Sequence, residues 1–191
     1  IPLLVLTSRV TFQKGFELLL NILDHLLRLD LQIVIMGDGD KDYISQLKKF
    51  NKKYPKKIVW LPFSEHGNME TWLYAAGDIF LLPSHHEPCG LNQLIAMRYG
   101  CIPVVRRVGG LQDTVSNFNP KTNRGNGFTF KTFSEFPLYG AVTRALEHYK
   151  TKQIWREMMV RAMRESNSWE IPAKKYINLY KKAIKLNGQN K

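Results

Sequence analysis

The sequence predicts an α/β fold, a parallel sheet with helices on both faces, and three observations carry that prediction. Short unbroken apolar runs recur as far as Phe133, each is followed by a segment whose apolar residues repeat at helical spacing, and Gly, Pro or Asp marks most junctions. A strand covered on both faces reads as a continuous apolar run rather than as an alternation. Strands that alternate with helices of this length pair in parallel through right-handed crossovers, so the architecture is a Rossmann-like layer sandwich.

Each element follows from its own residues. Leu3 to Thr7 reads as the first strand, and Gly15 to Leu29 as a helix, because Phe16, Leu19, Leu20, Leu23, Leu26 and Leu27 obey the i, i+3, i+4, i+7 rule. Gln32 to Met36 is the next apolar strand, closed by Gly37-Asp38-Gly39; Tyr43 to Phe50 is a second helix, and Ile58 to Leu61 a third strand. Asn68 to Ala76 supplies another helix, Ile79 to Leu82 the fourth strand, Asn92 to Tyr99 a helix and Ile102 to Val105 the fifth strand, with a sixth over Gly127 to Phe130. Beyond Phe133 the pattern is helical over Glu135 to Lys150, Thr151 to Glu165 and Ile171 to Leu186, with loops at Lys150-Thr151 and Asn167 to Pro172. Pro172 suits a first helical turn, where its missing N–H costs nothing.

With 191 residues, 44% of them hydrophobic, the chain can bury one full core, and we read a single domain with a sheet core over 1–132 and helices over 133–191. The most apolar stretch, Phe16 to Leu29, is broken by Glu17, Asp24, His25 and Arg28 and is too short and too charged to span a bilayer. The segment Ile1 to Leu6 has neither a starting Met nor a positive region ahead of its apolar residues. It reads as a strand cut from a longer protein rather than as a secretory signal or transit peptide. Cys89 and Cys101 make no disulfide framework and fit no common zinc spacing, which points to a reducing compartment. A net charge of +12 raises the question of a polyanion partner, and seven lysines crowd between Lys41 and Lys57. They fall on or after one amphipathic helix with few aromatics among them, so we read a solvated lysine face and expect no nucleic-acid partner.

Three loops follow three strands and therefore meet at one edge of the sheet: Ser8 to Gly15, Ser84 to Asn92 and Arg106 to Asp113. The first sets Arg9 and Lys14 around a turn ahead of a helix start, a pairing that suits a diphosphate, since a guanidinium grips two oxygens at once and an ammonium acts as a point charge. The second hangs Glu87 at the carboxyl edge, where open α/β sheets bind ligands, and opens a helix over Gly90 to Asn92 whose free N–H groups favour anions. In the third, Gly109-Gly110 allows either a close backbone approach to a ligand or simply a tight turn. Arg106 and Arg107 are equally able to pair with carboxylates. Asp38 is open to two readings, a binding acid or turn chemistry. Adjacent His85 and His86 point apart with no third ligand at useful spacing, so no metal is expected; Cys89 has no basic partner and reads as a small pocket-lining residue.

These residues, together with Gln13-Lys14-Gly15, the run Glu87-Pro88-Cys89-Gly90-Leu91-Asn92-Gln93-Leu94, Ala96 to Gly100, Arg106 to Leu111 and the late Ser168-Trp169-Glu170, resemble the glycogen and starch synthases over nearly the whole chain. Members of that family are retaining glucosyltransferases of two Rossmann-like domains, the GT-B arrangement, which move glucose from ADP-glucose or UDP-glucose to the non-reducing end of an α-1,4-glucan. The resemblance covers the C-terminal half alone, so it implies an absent N-terminal domain that supplies acceptor contacts, and a fragment inactive by itself. By position Arg9 and Lys14 match the pair that stabilises the leaving nucleoside diphosphate, and Glu87 the sugar-binding acid. Cys89, Gly90, Leu91 and Asn92 match the turn and helix start that contact glucose and phosphate, Gly109 and Gly110 the second glycine pair, and Phe63 an aromatic stacked on the base. The family implies no cofactor beyond the donor, with ADP-glucose favoured, and a bacterial cytoplasm or a plant plastid stroma. Many related transferases carry a second Glu eight positions after the first; Ile95 stands there, as suits the glycogen and starch synthase branch. A nucleotide-binding module without transferase activity, or a related transferase with another acceptor, would share the same residues.

Overall fold

The computed structural model describes residues 1–165 and 168–188. Six parallel strands, β1 (Leu3–Thr7), β2 (Gln32–Met36), β3 (Ile58–Leu61), β4 (Ile79–Leu82), β5 (Ile102–Arg106) and β6 (Phe128–Phe130), lie in the order β3-β2-β1-β4-β5-β6. Side chains alternate between faces. Leu4, Leu6, Ile33, Ile35, Ile79, Leu81 and Val104 enter one apolar layer, while Val5, Met36, Phe80, Leu82 and Val105 enter the other. Because both faces are covered, β4 is buried at every position, which is why its sequence reads as an unbroken run.

The helices divide between the two layers. On the first face lie α1 (Phe16–Leu26), α2 (Lys41–Lys53), α7 (Glu135–Tyr149) and α8 (Lys152–Arg164), whose buried residues include Leu23, Leu47, Ala141 and Trp155. On the second, α4 (Glu70–Ala76), α5 (Asn92–Arg98) and α6 (Gly110–Thr114) contribute Leu73, Tyr74, Ala96 and Leu111. A short α3 (Phe63–His66) follows β3, and α9 (Glu170–Gly188) is exposed along the part described. No helix among the described residues is long and apolar enough to cross a membrane.

Several boundaries differ from those expected, each for a local reason. The first helix ends at Leu26 rather than Leu29, because Arg28 and Leu29 donate to His25 and Leu26 and tighten the chain into turns. Gly15 is outside it, in a left-handed conformation (φ 80°) where a Cβ would sit 2.2 Å from the Pro83 carbonyl oxygen. The helix expected over Asn68 to Ala76 begins only at Glu70; a 3₁₀ turn over Gly67–Met69 joins it to α3, since Gly67 and Asn68 are weak helix formers. The second helix runs longer at both ends, and α6 starts at Gly110, inside the third of the expected loops. Asn167, in the loop expected before Pro172, lies outside the described residues; helix resumes at Glu170, so Pro172 falls in its first turn.

Candidate functional site

The strand order reverses between β1 and β4, and in an open parallel sheet the crevice beyond the carboxyl ends at such a point is where ligands bind. Two chain segments enter it. After β1 the backbone makes a 3₁₀ turn over Phe12–Lys14, which aims Lys14 across the edge before Gly15 turns the chain into α1. After β4, Pro83 ends the strand and Glu87 turns inward, 7% exposed.

There Lys14 Nζ lies 2.5 Å from Glu87 Oε2, with the two side chains 16% and 9% exposed. Ser84 Oγ donates to the same oxygen at 3.1 Å, and the described residues offer Glu87 Oε1 no donor. Lys14 thus spends one of its three N–H donors on the carboxylate and keeps two for the space beside it. Asn92, the first residue of α5, donates through Nδ2 to the Thr7 carbonyl oxygen at 2.9 Å, which pins the helix start to the end of β1. Under it, Tyr74 Oη pairs with Thr7 Oγ1 at 2.7 Å and donates to Glu70 at 2.9 Å. Burial above all pushes the Tyr74 phenol well over its ordinary range, so it stays protonated and holds these contacts.

A cavity of about 140 Å³ opens on this pair, and the predicted residues Arg9, Lys14, Glu87, Gly90, Leu91 and Asn92 all line it, with Ser8 and Leu82. Arg9 approaches Gln13 at 3.5 Å and is otherwise exposed. Such a space takes a hexose or a pyrophosphate, but falls short of the roughly 300 Å³ at which pockets for whole drug-sized ligands begin.

Four predicted residues stand outside that cavity. Phe63 starts α3 at the end of β3, on the same sheet edge but two strands from β1, 44% exposed. Cys89 is exposed, and its carbonyl packs against the third loop. Both glycines of that loop make the expected close approach, but to protein backbone: a Cβ on Gly109 would lie 2.0 Å from the Glu87 carbonyl oxygen and one on Gly110 2.0 Å from that of Cys89. The Gly110 N–H is shared between the Glu87 and Pro88 carbonyls at 3.2 Å each, so the third loop buttresses the second.

Asp38 and Arg106, each able to serve a ligand or the fold, are both taken up by the fold. Asp38 Oδ2 accepts the Ser64 N–H at 2.7 Å and anchors the start of α3, a contact between the ends of β2 and β3 rather than within the Gly37–Gly39 turn. Arg106 pairs with carbonyls rather than carboxylates, reaching His85 O at 2.7 Å and Ser84 O at 3.3 Å. Burial pushes the Cys101 thiol up, away from nucleophile chemistry. Of the seven lysines, six are exposed, and Lys53 and Lys57 are tied to Asp24 and to the Leu29 carbonyl. Among the described residues no three His, Cys, Asp or Glu side chains form a metal-binding group.

Sequence reasoning missed two supports. Ser84 holds Glu87 from three residues upstream. Gln93 is fully buried and donates to Gly90 O at 2.9 Å and to Thr114 Oγ1 at 3.2 Å, clamping the Gly90 turn (φ 74°) to α6. The available signal was a carboxamide set among Leu94, Ala96 and Met97, where only a hydrogen-bonded polar group is tolerated.

Residues 2–160 match the family described as glycosyl transferases group 1. Glycogen synthases of Thermotoga petrophila and Clostridium perfringens are 45% and 44% identical over 94% and 97% of this chain. The chain spans 37% and 38% of the length of those curated relatives. Among solved structures, the catalytic domain of starch synthase IV from Arabidopsis thaliana, bound to ADP and acarbose, superposes with a TM-score of 0.83 at 32% identity, covering 96% of this chain and 38% of that one.

Proposed function

This chain belongs to the group 1 glycosyl transferases, and from that premise we propose that it is the donor-holding half of a glycogen or starch synthase, which transfers glucose with retention to the non-reducing end of an α-1,4-glucan. The observation that carries the reading is the Lys14–Glu87 contact across the point of strand reversal, with Arg9 and Asn92 beside it. Two cations without an excess of acid suit a diphosphate, and a carboxylate with one unpartnered oxygen suits sugar hydroxyls.

In this mechanism the diphosphate leaves on the face that the acceptor hydroxyl approaches, so the protein needs no nucleophile. Arg9 and Lys14 stabilise negative charge as it builds on the departing oxygens, in a site already shaped for it. Glu87 Oε1 orients the glucose, and Ser84 and Lys14 fix the carboxylate from its other oxygen. The donor extends out of the small cavity along the sheet edge, with Cys89, Gly109 and Gly110 shaping the second loop and Phe63 offering its ring to the base. ADP-glucose is the favoured donor, on the strength of the ADP bound to starch synthase IV. The acceptor contacts belong to an N-terminal domain of the parent protein, and two free cysteines suit a reducing location such as bacterial cytoplasm or plastid stroma.

Calorimetric titration of this chain with ADP, UDP and ADP-glucose tests the donor site. Binding that disappears in Lys14→Ala supports it, and absence of binding to every nucleoside diphosphate overturns it. Joined to its N-terminal domain, the protein should extend a glucan; nucleotide binding without transfer in that protein makes it a binding module instead.

A further inference from the structure

Arg106 closes β5, and its side chain makes its hydrogen bonds to backbone alone. Nη1 donates to the carbonyl oxygens of His85 at 2.7 Å and Ser84 at 3.3 Å in the loop after β4, and Nε donates to that of Lys131 beyond β6 at 3.2 Å. Since β5 lies between β4 and β6, one half-buried guanidinium ties together the chain on either side of its own strand. No carboxylate among the described residues comes within ion-pair distance of it. Its charge is spent on carbonyl dipoles, in hydrogen bonds about twice as strong as neutral ones.

Those bonds converge on the group that holds Glu87. Ser84 is fully buried, and while its carbonyl accepts from Arg106 its hydroxyl donates to Glu87 Oε2 at 3.1 Å. The peptide unit that carries the Ser84 carbonyl also carries the His85 N–H, and in a planar trans unit the two point opposite ways. That N–H donates to the Gln13 carbonyl oxygen at 2.9 Å, one residue before Lys14. A single peptide therefore stands between the guanidinium and the loop after β1, and polarisation along such a line strengthens each hydrogen bond in it. Downstream of this anchor, the Gly110 N–H holds the Glu87 and Pro88 carbonyls, so the carboxylate is bracketed on both sides.

We infer that Arg106 is a positioning residue for glucosyl transfer: it sets the Ser84–His85 peptide and, through the Ser84 hydroxyl, the carboxylate of Glu87. It is not among the residues that line the 140 Å³ cavity, so it acts through the loop rather than on the sugar. The inference rests on the donor reading above, which gives Glu87 its sugar. A lysine would reach one carbonyl as a point charge, whereas the planar fork holds two loops at once. The turn that carries Lys14 keeps bonds of its own, Lys14 N–H to Thr11 O and Gly15 N–H to Phe12 O, so the diphosphate grip does not depend on Arg106 to the same degree.

In the protein joined to its N-terminal domain, Arg106→Met should lower kcat roughly ten- to hundredfold at saturating donor, the cost of a reacting geometry displaced by up to about 1 Å. ADP should still bind one-to-one by calorimetry within about a factor of two of wild-type affinity, and that stoichiometry separates a displaced Glu87 from a loss of folded protein. Arg106→Lys should fall between the two. Arg106→Met combined with Ser84→Ala should be no slower than the slower single variant, because both act on one carboxylate. Amide exchange gives a readout without catalysis: in Arg106→Met the His85 N–H should lose protection roughly tenfold while amides inside β4 keep theirs. Wild-type kcat in Arg106→Met, multiplied losses in the double variant or an unchanged His85 exchange rate overturns the inference, as does lost ADP stoichiometry in Arg106→Met beside wild-type kcat in Arg106→Lys. Lost His85 protection in Arg106→Met, when even the wild-type protein neither binds ADP nor transfers glucose, would instead overturn the donor reading and leave Arg106 as the anchor of the loop.

Discussion

Two ion pairs of almost equal length stand at opposite ends of this protein's chemistry. Lys53 Nζ reaches Asp24 Oδ1 at 2.6 Å between α2 and α1, and Lys14 Nζ reaches Glu87 Oε2 at 2.5 Å between the loops after β1 and β4. Around Asp24 both oxygens are engaged: Tyr54 also donates to Oδ1 at 2.8 Å, and Arg28 donates to Oδ2 at 3.1 Å. Around Glu87 one oxygen is left over, two ammonium donors are left over, and the surplus faces a cavity. The surface pair is 60% and 30% exposed and the site pair 16% and 9%, so the second also works in a drier place, where charges interact more strongly. Distance does not separate the two pairs; unspent hydrogen-bonding capacity beside a space does.

The sharpest way to break the comparison is to remove each lysine. Lys14→Ala in the full-length enzyme should lower kcat by about two to three orders of magnitude at saturating donor, ~3 to 4 kcal/mol of transition-state stabilisation, with the fold retained. Lys53→Ala should leave turnover unchanged. A Lys14→Ala enzyme within a factor of two of wild type, by steady-state kinetics, would reduce the site pair to the rank of the surface one.

Next in size comes the buttress that only the site pair has. Gly109 adopts φ 48° and ψ −137°, and any Cβ there meets the Glu87 carbonyl oxygen. Gly109→Ala should cost about 1 to 3 kcal/mol in denaturant unfolding and weaken nucleoside diphosphate binding together with it, because the second loop must shift. Retained affinity despite lost stability would show that the glycine serves folding alone.

The asymmetry between the two regions also explains what could be read in advance. The strands were legible because burial on both faces leaves no polar position to confuse the pattern, and Arg9, Lys14 and Glu87 were legible as a group because loops after parallel strands share one edge. The support of the site was not. Ser84, Gln93 and the backbone approach of Gly109 and Gly110 depend on which loop lies against which, a long-range packing fact with no local periodicity. The start of α3 was hidden for a related reason, since the contact that anchors it, Ser64 N–H to Asp38, joins residues from different strand ends.

Glu87→Gln probes the surplus oxygen directly. The amide keeps its size and, through its oxygen, the Ser84 and Lys14 contacts, but it loses the charge that balances the Lys14 ammonium. Transfer should fall roughly tenfold, the weight of one hydrogen bond made to a charged group, while affinity for the free nucleoside diphosphate holds or rises. Equal loss of both in calorimetry would place Glu87 on the phosphate side rather than the sugar side.

The smallest effect belongs to the surface pair, and it is a pH effect. Hydrogen bonds from Lys53 first, then from Tyr54, hold the Asp24 carboxyl well below its ordinary value near 4, and Asp24 in turn raises the Lys53 ammonium. A carboxyl whose value is lowered by folding adds stability that is present above about pH 4 and disappears as pH falls from there through the folded-state value, because the unfolded chain then takes up the proton first. Asp24→Asn should therefore lower Tm at pH 6 by a small margin that salt reduces, and the gap to wild type should narrow steadily as pH falls below about 4. Solvent around the exposed carboxylate keeps the margin below that of any site variant. ADP affinity should not move, for Asp24 lies away from the cavity with both oxygens engaged; a change in it would mean that the two pairs communicate through α1, whose N-terminus follows Lys14 directly.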